Sequence, residues 1–219
     1  MDTKDYDDFL ALRPRGNADL VVHAPDHSSF SFRNLNEQYL IETCPLLAFS
    51  FEERPQGRKS LSLNASSVEL VARFLRFIYT ATYHIVDDHK REISCSFLMH
   101  AQLYRYGELY DLPQLRSRAY IHISQICELG CSMPSAPVGL CETLRFLYDK
   151  VTTDKTCHES ILHYCISRFN AHHLGTNPEF CKLLAEVKEC QQDMFRLVAQ
   201  RGFQDESKCS IHPFRYNNC

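Results

Sequence analysis

The residues in this chain best suited to chemistry are its cysteines and histidines, eleven of each among 219 residues. Cys209-x2-His212-x6-Cys219 gathers two thiols and an imidazole near the C-terminus, the correct donors for zinc. A closed structural site takes four ligands, so Cys190 or His172 would have to complete it. The CxxC pairs that mark a strong zinc signal are absent. Cys127-x3-Cys131, Cys157-His158 and His163-x-Cys165 fall within helical patterns, where cysteine acts as a small apolar residue. A cysteine nucleophile needs a neighbouring base and an orienting group, and no Cys–His pair lies on a recognisable turn. The chain has no G-x-S-x-G elbow, no G-x-G-x-x-G and no G-x-x-x-x-G-K-[ST], and its seven scattered glycines cannot build a phosphate cradle. Asp7-Asp8 and Asp87-Asp88 read as solvated loop charges. Cys209, His212 and Cys219 are therefore the metal-ligand candidates. No catalytic residue is assigned, no enzyme is expected and no cofactor is expected.

Composition narrows the classes further. A net charge of −3 lacks the basic excess of a nucleic-acid binder. Arg54, Arg58 and Lys59 cluster, but Glu52 and Glu53 neutralise them. No apolar run is long enough to cross a membrane. The opening MDTKDYDDFLALRPRG is acidic and has no apolar core, which argues against a secretory leader. An odd number of irregularly spaced cysteines then predicts buried, reduced thiols, and an inert Asn64-Ala65-Ser66 sequon. The expected location is intracellular, cytoplasmic or nuclear, with protein partners and neither nucleic acid nor membrane.

The elements that must position any surface follow from periodicity. Residues 1–16 read as a flexible lead. Asp19–Ala24 and Ser29–Arg33 form a hairpin across Pro25-Asp26. Asn34 or Asn36 caps a helix through Glu42, and Pro45 ends it and opens a short apolar segment. The charged run Glu52–Lys59, with Pro55 and Gly57, reads as a loop, and Ser60–Asn64 as a third strand. Ser66–Tyr83 is the central helix. Its polar residues Glu69, Arg73, Arg76 and Thr80 make one narrow stripe expected to face water, and every other side must be covered. After a polar link, His84–Arg91, helices are expected over about Ile93–Tyr110 and Pro113–Cys127, the latter burying Leu115, Ala119, His122 and Ile126. Residues 129–138 read as a linker. Residues 139–203 carry three helical patterns, the last one starting at Asn177-Pro178 and ending at Gly202. Residues 204–219 are a polar tail.

At this point residues 17–128 resemble a BTB/POZ domain. Asp19-Leu20-Val21-Val22 is similar to that family's opening strand. Leu40 with Cys44-Pro45-Leu46-Leu47, and Phe77-Ile78-Tyr79-Thr80 with Tyr83, resemble its helix strings. Met99–Tyr104 and Tyr110-Asp111-Leu112-Pro113-Gln114-Leu115 are similar to its alanine–tyrosine helix and the turn after it. Gly107 stands where the family has alanine. The later helices resemble those of fungal single-BTB proteins. The resemblance implies an α+β fold, with a small three-stranded sheet and helices, followed by an α-helical extension. It also implies a non-enzymatic interaction module that acts as a self-associating scaffold or adaptor, through homodimerisation or by linking substrates to a cullin-based ubiquitin ligase. A histidine–basic pair of the family is replaced here by Arg33-Asn34 or Asn36-Glu37. Arg33, Asn34, Asn36, Glu37 and Tyr39 are therefore the expected interaction surface.

Overall fold

The computed structural model describes residues 8–86, 92–151 and 153–201. The chain divides into two compact units, Met1–Tyr120 and Ile121–Cys219, with the boundary inside one long helix. The fold is α+β, and among the described residues no helix is long and apolar enough to cross a membrane.

The first unit grows from a hairpin. β1 (Ala18–His23) and β2 (Ser29–Leu35) pair antiparallel, with Val22 opposite Phe30. Alternation puts Ala18, Leu20, Val22, Phe32 and Leu35 on the fully buried side. β4 (Arg58–Asn64) lies parallel to β1, with Leu61 opposite Leu20. β3 (Glu52–Arg54) pairs antiparallel with the start of β4, giving the order β2-β1-β4-β3. The sheet thus has four strands rather than the expected three, and part of the predicted loop Glu52–Lys59 belongs to it. All three β3 residues are exposed, so its ladder hydrogen bonds make the strand and no apolar pattern announces it. Gln56 and Gly57 turn the chain in left-handed conformation, at φ 67° and 70°. The predicted polar link also contains strand: β5 (Ile85–Val86) pairs with β6 (Glu92–Ile93).

Helices α1 (Glu37–Thr43) and α2 (Pro45–Ala48) follow the hairpin. Asn36 is the α1 cap, since its side chain accepts the Tyr39 N–H, while Asn34 sits left-handed at φ 59°. Central helix α3 (Val68–Thr80) is capped by the Ser67 hydroxyl and stops at Ala81, which is left-handed at φ 59°. α4 (Phe97–Leu109) starts later than predicted because Ile93 is in strand and Ser96 caps the helix. α5 (Pro113–Cys131) buries Leu115, Ala119, Ile123 and Cys127 rather than the predicted His122 and Ile126. A Cβ on Gly107 would lie 2.8 Å from the Arg116 backbone nitrogen, so α4 and α5 cross too closely for alanine.

Arg73 overturns the expectation of a continuous wet stripe on α3, because it has no exposed surface. Its Nε donates to Glu69 Oε1 at 2.8 Å, its Nη1 to the Tyr83 carbonyl at 3.2 Å and its Nη2 to the Ile93 carbonyl at 3.2 Å. One guanidinium thereby ties α3 to both ends of the segment carrying β5 and β6. Arg76, one turn on, pairs with Asp8. Residues 8–16, expected to be a flexible lead, begin with a 3-10 turn at Asp8–Leu12. Phe9 is buried there, 5.4 Å from the Tyr79 ring.

The second unit is helical. After the turns of residues 132–139 come α6 (Leu140–Lys150), α7 (Thr156–Ser167), α8 (Pro178–Glu186) and α9 (Lys188–Arg201). Asn177 caps α8 by accepting the Glu179 and Phe180 N–H groups. The single helix predicted from Asn177 to Gly202 is broken at Val187, where ψ is 84°. No glycine or proline marks the break. It lets α8 and α9 both pack on α6, which one straight helix could not do. The core is formed by Leu144, Leu147, Ile161, Cys165, Phe180, Leu183 and Cys190.

Candidate interaction surface

The five residues expected to form an interaction surface divide sharply. Three of them are occupied inside the first unit. Asn36 donates its backbone N–H to Tyr79 Oη at 3.0 Å and its side-chain amide to the Pro14 carbonyl at 3.1 Å. Glu37 pairs with Lys59 at 2.6 Å and accepts the Asn17 amide at 3.0 Å. The hydrogen bonds from Lys59 and Asn17 hold its carboxyl below the ordinary range. Tyr39 donates to the Ile78 carbonyl at 3.2 Å, and the Arg13 guanidinium sits 4.4 Å from its ring centre. These three residues fasten α1 to the lead, to β4 and to the end of α3.

Arg33 and Asn34 are placed differently. Arg33 is exposed on β2, which is an edge strand of the sheet. The Asn34 backbone N–H donates to Asp19 Oδ1 at 2.9 Å. Burial works to raise the Asp19 carboxyl, but the Asn34 N–H, Arg58 and the nearby Arg33 hold it below its usual value. Arg33 and Asn34 line a cleft of about 710 Å³ together with Arg13 and Arg15 from the lead. Tyr39 instead lines a second cleft, of about 590 Å³, between the end of α3 and residues 111–114.

A second patch went unpredicted. Ile41 on α1, Leu46 on α2 and Phe49 just after it are 36%, 47% and 75% exposed. Their neighbours Leu40 and Leu47 are fully buried. Apolar residues fill both sides of these short helices, so the sequence pattern alone cannot tell the buried leucine from the exposed one.

The metal candidates Cys209, His212 and Cys219 lie outside the described residues. The two residues considered as completing ligands are engaged elsewhere. Cys190 is buried beside Tyr148, its thiol pushed up to about 12, mainly by burial. The His172 Nδ1 pairs with the Tyr164 hydroxyl at 2.7 Å and its Nε2 with the Met133 carbonyl at 2.9 Å. Among the described residues no cluster of His, Cys, Asp and Glu could hold a metal. Cys44, Cys127, Cys131, Cys141, Cys165, Cys181 and Cys190 are free thiols. Burial raises the thiols of Cys44, to about 11, and Cys127, to about 12, which keeps them protonated and unreactive at neutral pH.

No protein-family model matches the chain, and no curated protein matches it.

Proposed function

We propose that the first unit is a BTB/POZ-like interaction domain and that the chain works as a non-enzymatic scaffold or adaptor that associates with a second copy of itself. The observation that carries this reading is the uncovered apolar patch of Ile41, Leu46 and Phe49. Ile41 lies on α1, Leu46 on α2 and Phe49 directly after it, beside the fully buried Leu40 and Leu47. Large apolar side chains left in water at one place favour association, since covering them removes apolar area from solvent. The element order supports the family part of the reading: a hairpin, two short helices, a strand parallel to β1, a buried helix, then two more helices. The residues that resemble the family fall at structural joints. Tyr79 accepts the Asn36 N–H, and Asp111 is left-handed at φ 51° in the turn before α5.

Light scattering over a range of concentrations tests self-association. The wild-type chain is expected to reach dimer mass in the tens of micromolar, and Leu46→Glu with Phe49→Glu to remain monomeric with unchanged melting. A wild-type chain that stays strictly monomeric would remove the self-association. A cullin, like any other partner, would be recognised in a pulldown from the wild-type chain.

A further inference from the structure

The cleft between the lead and β2 has an unusual charge balance. Arg13, Arg15 and Arg33 converge on it, with Ser31 and Asn34 as polar neighbours and Leu10 as an aliphatic wall. The one acid among the described residues of its lining, Asp8, is already paired with Arg76. Asp19, close enough for Arg33 to act on its carboxyl, is bound by Arg58. Among the described residues, Arg15 and Arg33 make no ion pair, and both are exposed. Arg13 is held in place over the Tyr39 ring, so at least one guanidinium is fixed before anything binds. Three cations thus face one concavity in a chain whose net charge is −3. This local excess is therefore no reflection of composition.

We propose that this cleft docks an acidic peptide segment of a partner protein, carboxylates meeting Arg15 and Arg33 and an aliphatic side chain lying against Leu10. The geometry favours a peptide over a nucleic acid. The guanidiniums are grouped in one cleft instead of running along a phosphate track, and among the described residues no aromatic ring lines it for base stacking. Planar guanidinium matches carboxylate in a two-point fork, which gives orientation as well as attraction. β2 is at the sheet edge, so an extended segment can run beside it. The assignment rests on reading the first unit as an interaction domain, but it concerns a different surface from the Ile41–Phe49 patch.

The test uses fluorescence anisotropy with a short labelled peptide of alternating glutamate and leucine, its glutamine counterpart and a labelled single-stranded oligonucleotide. The full-length wild-type chain is expected to bind the glutamate peptide in preference to both others, more weakly as salt is raised. Arg15→Glu with Arg33→Glu should weaken it about tenfold or more, with no change in melting because both side chains are exposed. Equal binding of the glutamine peptide, tighter binding of the oligonucleotide, or undiminished binding by the double variant would each overturn the proposal. Light scattering of the wild-type chain beside the peptide titration separates the two readings. A wild-type chain that dimerises but does not bind the glutamate peptide rejects the acidic cleft alone, and a wild-type chain that binds the peptide but stays monomeric rejects the scaffold alone.

Discussion

Among the described residues, Arg73 in the first unit and Asp193 in the second are buried charges, and the two are neutralised in different ways. In the first, Arg73 is enclosed and gives its protons to one carboxylate and to the backbone carbonyls of Tyr83 and Ile93. In the second, Asp193 on α9 takes hydrogen bonds from side chains only. Tyr148 Oη donates to it at 3.0 Å and Lys155 Nζ at 2.9 Å, and Arg196 lies 3.1 Å away. Backbone carbonyls are where the fold puts them, so Arg73 fits one arrangement of the chain. Lysine and arginine side chains can swing, and Lys155 is 43% exposed, so the Asp193 set is adaptable and screened by water. A buried cation on fixed carbonyls fastens segments together, whereas an acid among mobile cations mainly avoids the cost of its own burial.

The largest expected effect comes from breaking the first of these. Arg73→Leu removes the Arg73 hydrogen bonds to the Tyr83 and Ile93 carbonyls and should cost about 3 kcal/mol in urea unfolding. Arg73→Lys keeps the charge but not the fork, and should recover under half of that loss. Faster amide exchange around Tyr83 and Ile93 would identify the clamp as the part released. A loss below that of the Asp193 variant would sink the comparison.

Asp193→Ala should cost about 1 kcal/mol, and this cost should shrink in high salt while that of Arg73→Leu does not. The same acid has a pH signature. Burial works to raise its carboxyl, but Lys155, Tyr148 and Arg196 hold it below the ordinary 3.8. Its contribution is therefore complete above 3.8 and lost as pH falls through the depressed value.

The smallest effect belongs to His158, buried 4.6 Å from the Tyr148 ring centre with no partner on Nδ1 among the described residues. Burial lowers its proton affinity below the ordinary 6.5, against the opposing pull of the Leu147 carbonyl. Below pH 6.5 the unfolded chain takes a proton that folded His158 refuses, so stability falls as pH drops from neutral. The slope cannot exceed about 1.4 kcal/mol per pH unit from one group. Melting curves between pH 7 and 5 should flatten in His158→Phe, and an unchanged slope would remove His158 as the cause. The His158 window lies above that of Asp193, so the two groups can be separated in one titration.

Much of the first unit was legible because its signals are local. The short strand read in Asp19–Ala24 and the alternation in Ser29–Arg33 predict the β1–β2 hairpin, and capping asparagines predict two helix starts, at Asn34 or Asn36 and at Asn177, of which the structure uses Asn36 and Asn177. The candidate surface was legible only in part. Arg33 and Asn34 do line an open cleft, whereas Asn36, Glu37 and Tyr39 are spent on internal bonds. The lead's contribution, Arg13 and Arg15, was hidden because Phe9 reaches Tyr79 across seventy residues of chain, counting from position 9 to position 79. Gly107 shows the same limit, since the need for glycine there is visible only beside the Arg116 backbone.

Patterns of apolar residues, caps and turns therefore determined which stretches are helix and strand, because those interactions reach only a few positions along the chain. Tertiary structure alone decided which polar residue is wet. Glu69 and Arg73 form the same i,i+4 pair on a surface helix or a buried one. Only the carbonyls of Tyr83 and Ile93, brought in from elsewhere in the fold, turn Arg73 from a solvated charge into an internal clamp. Among the described residues the same logic leaves Arg15 and Arg33 in water, since Asp8 is paired with Arg76 and Asp19 with Arg58.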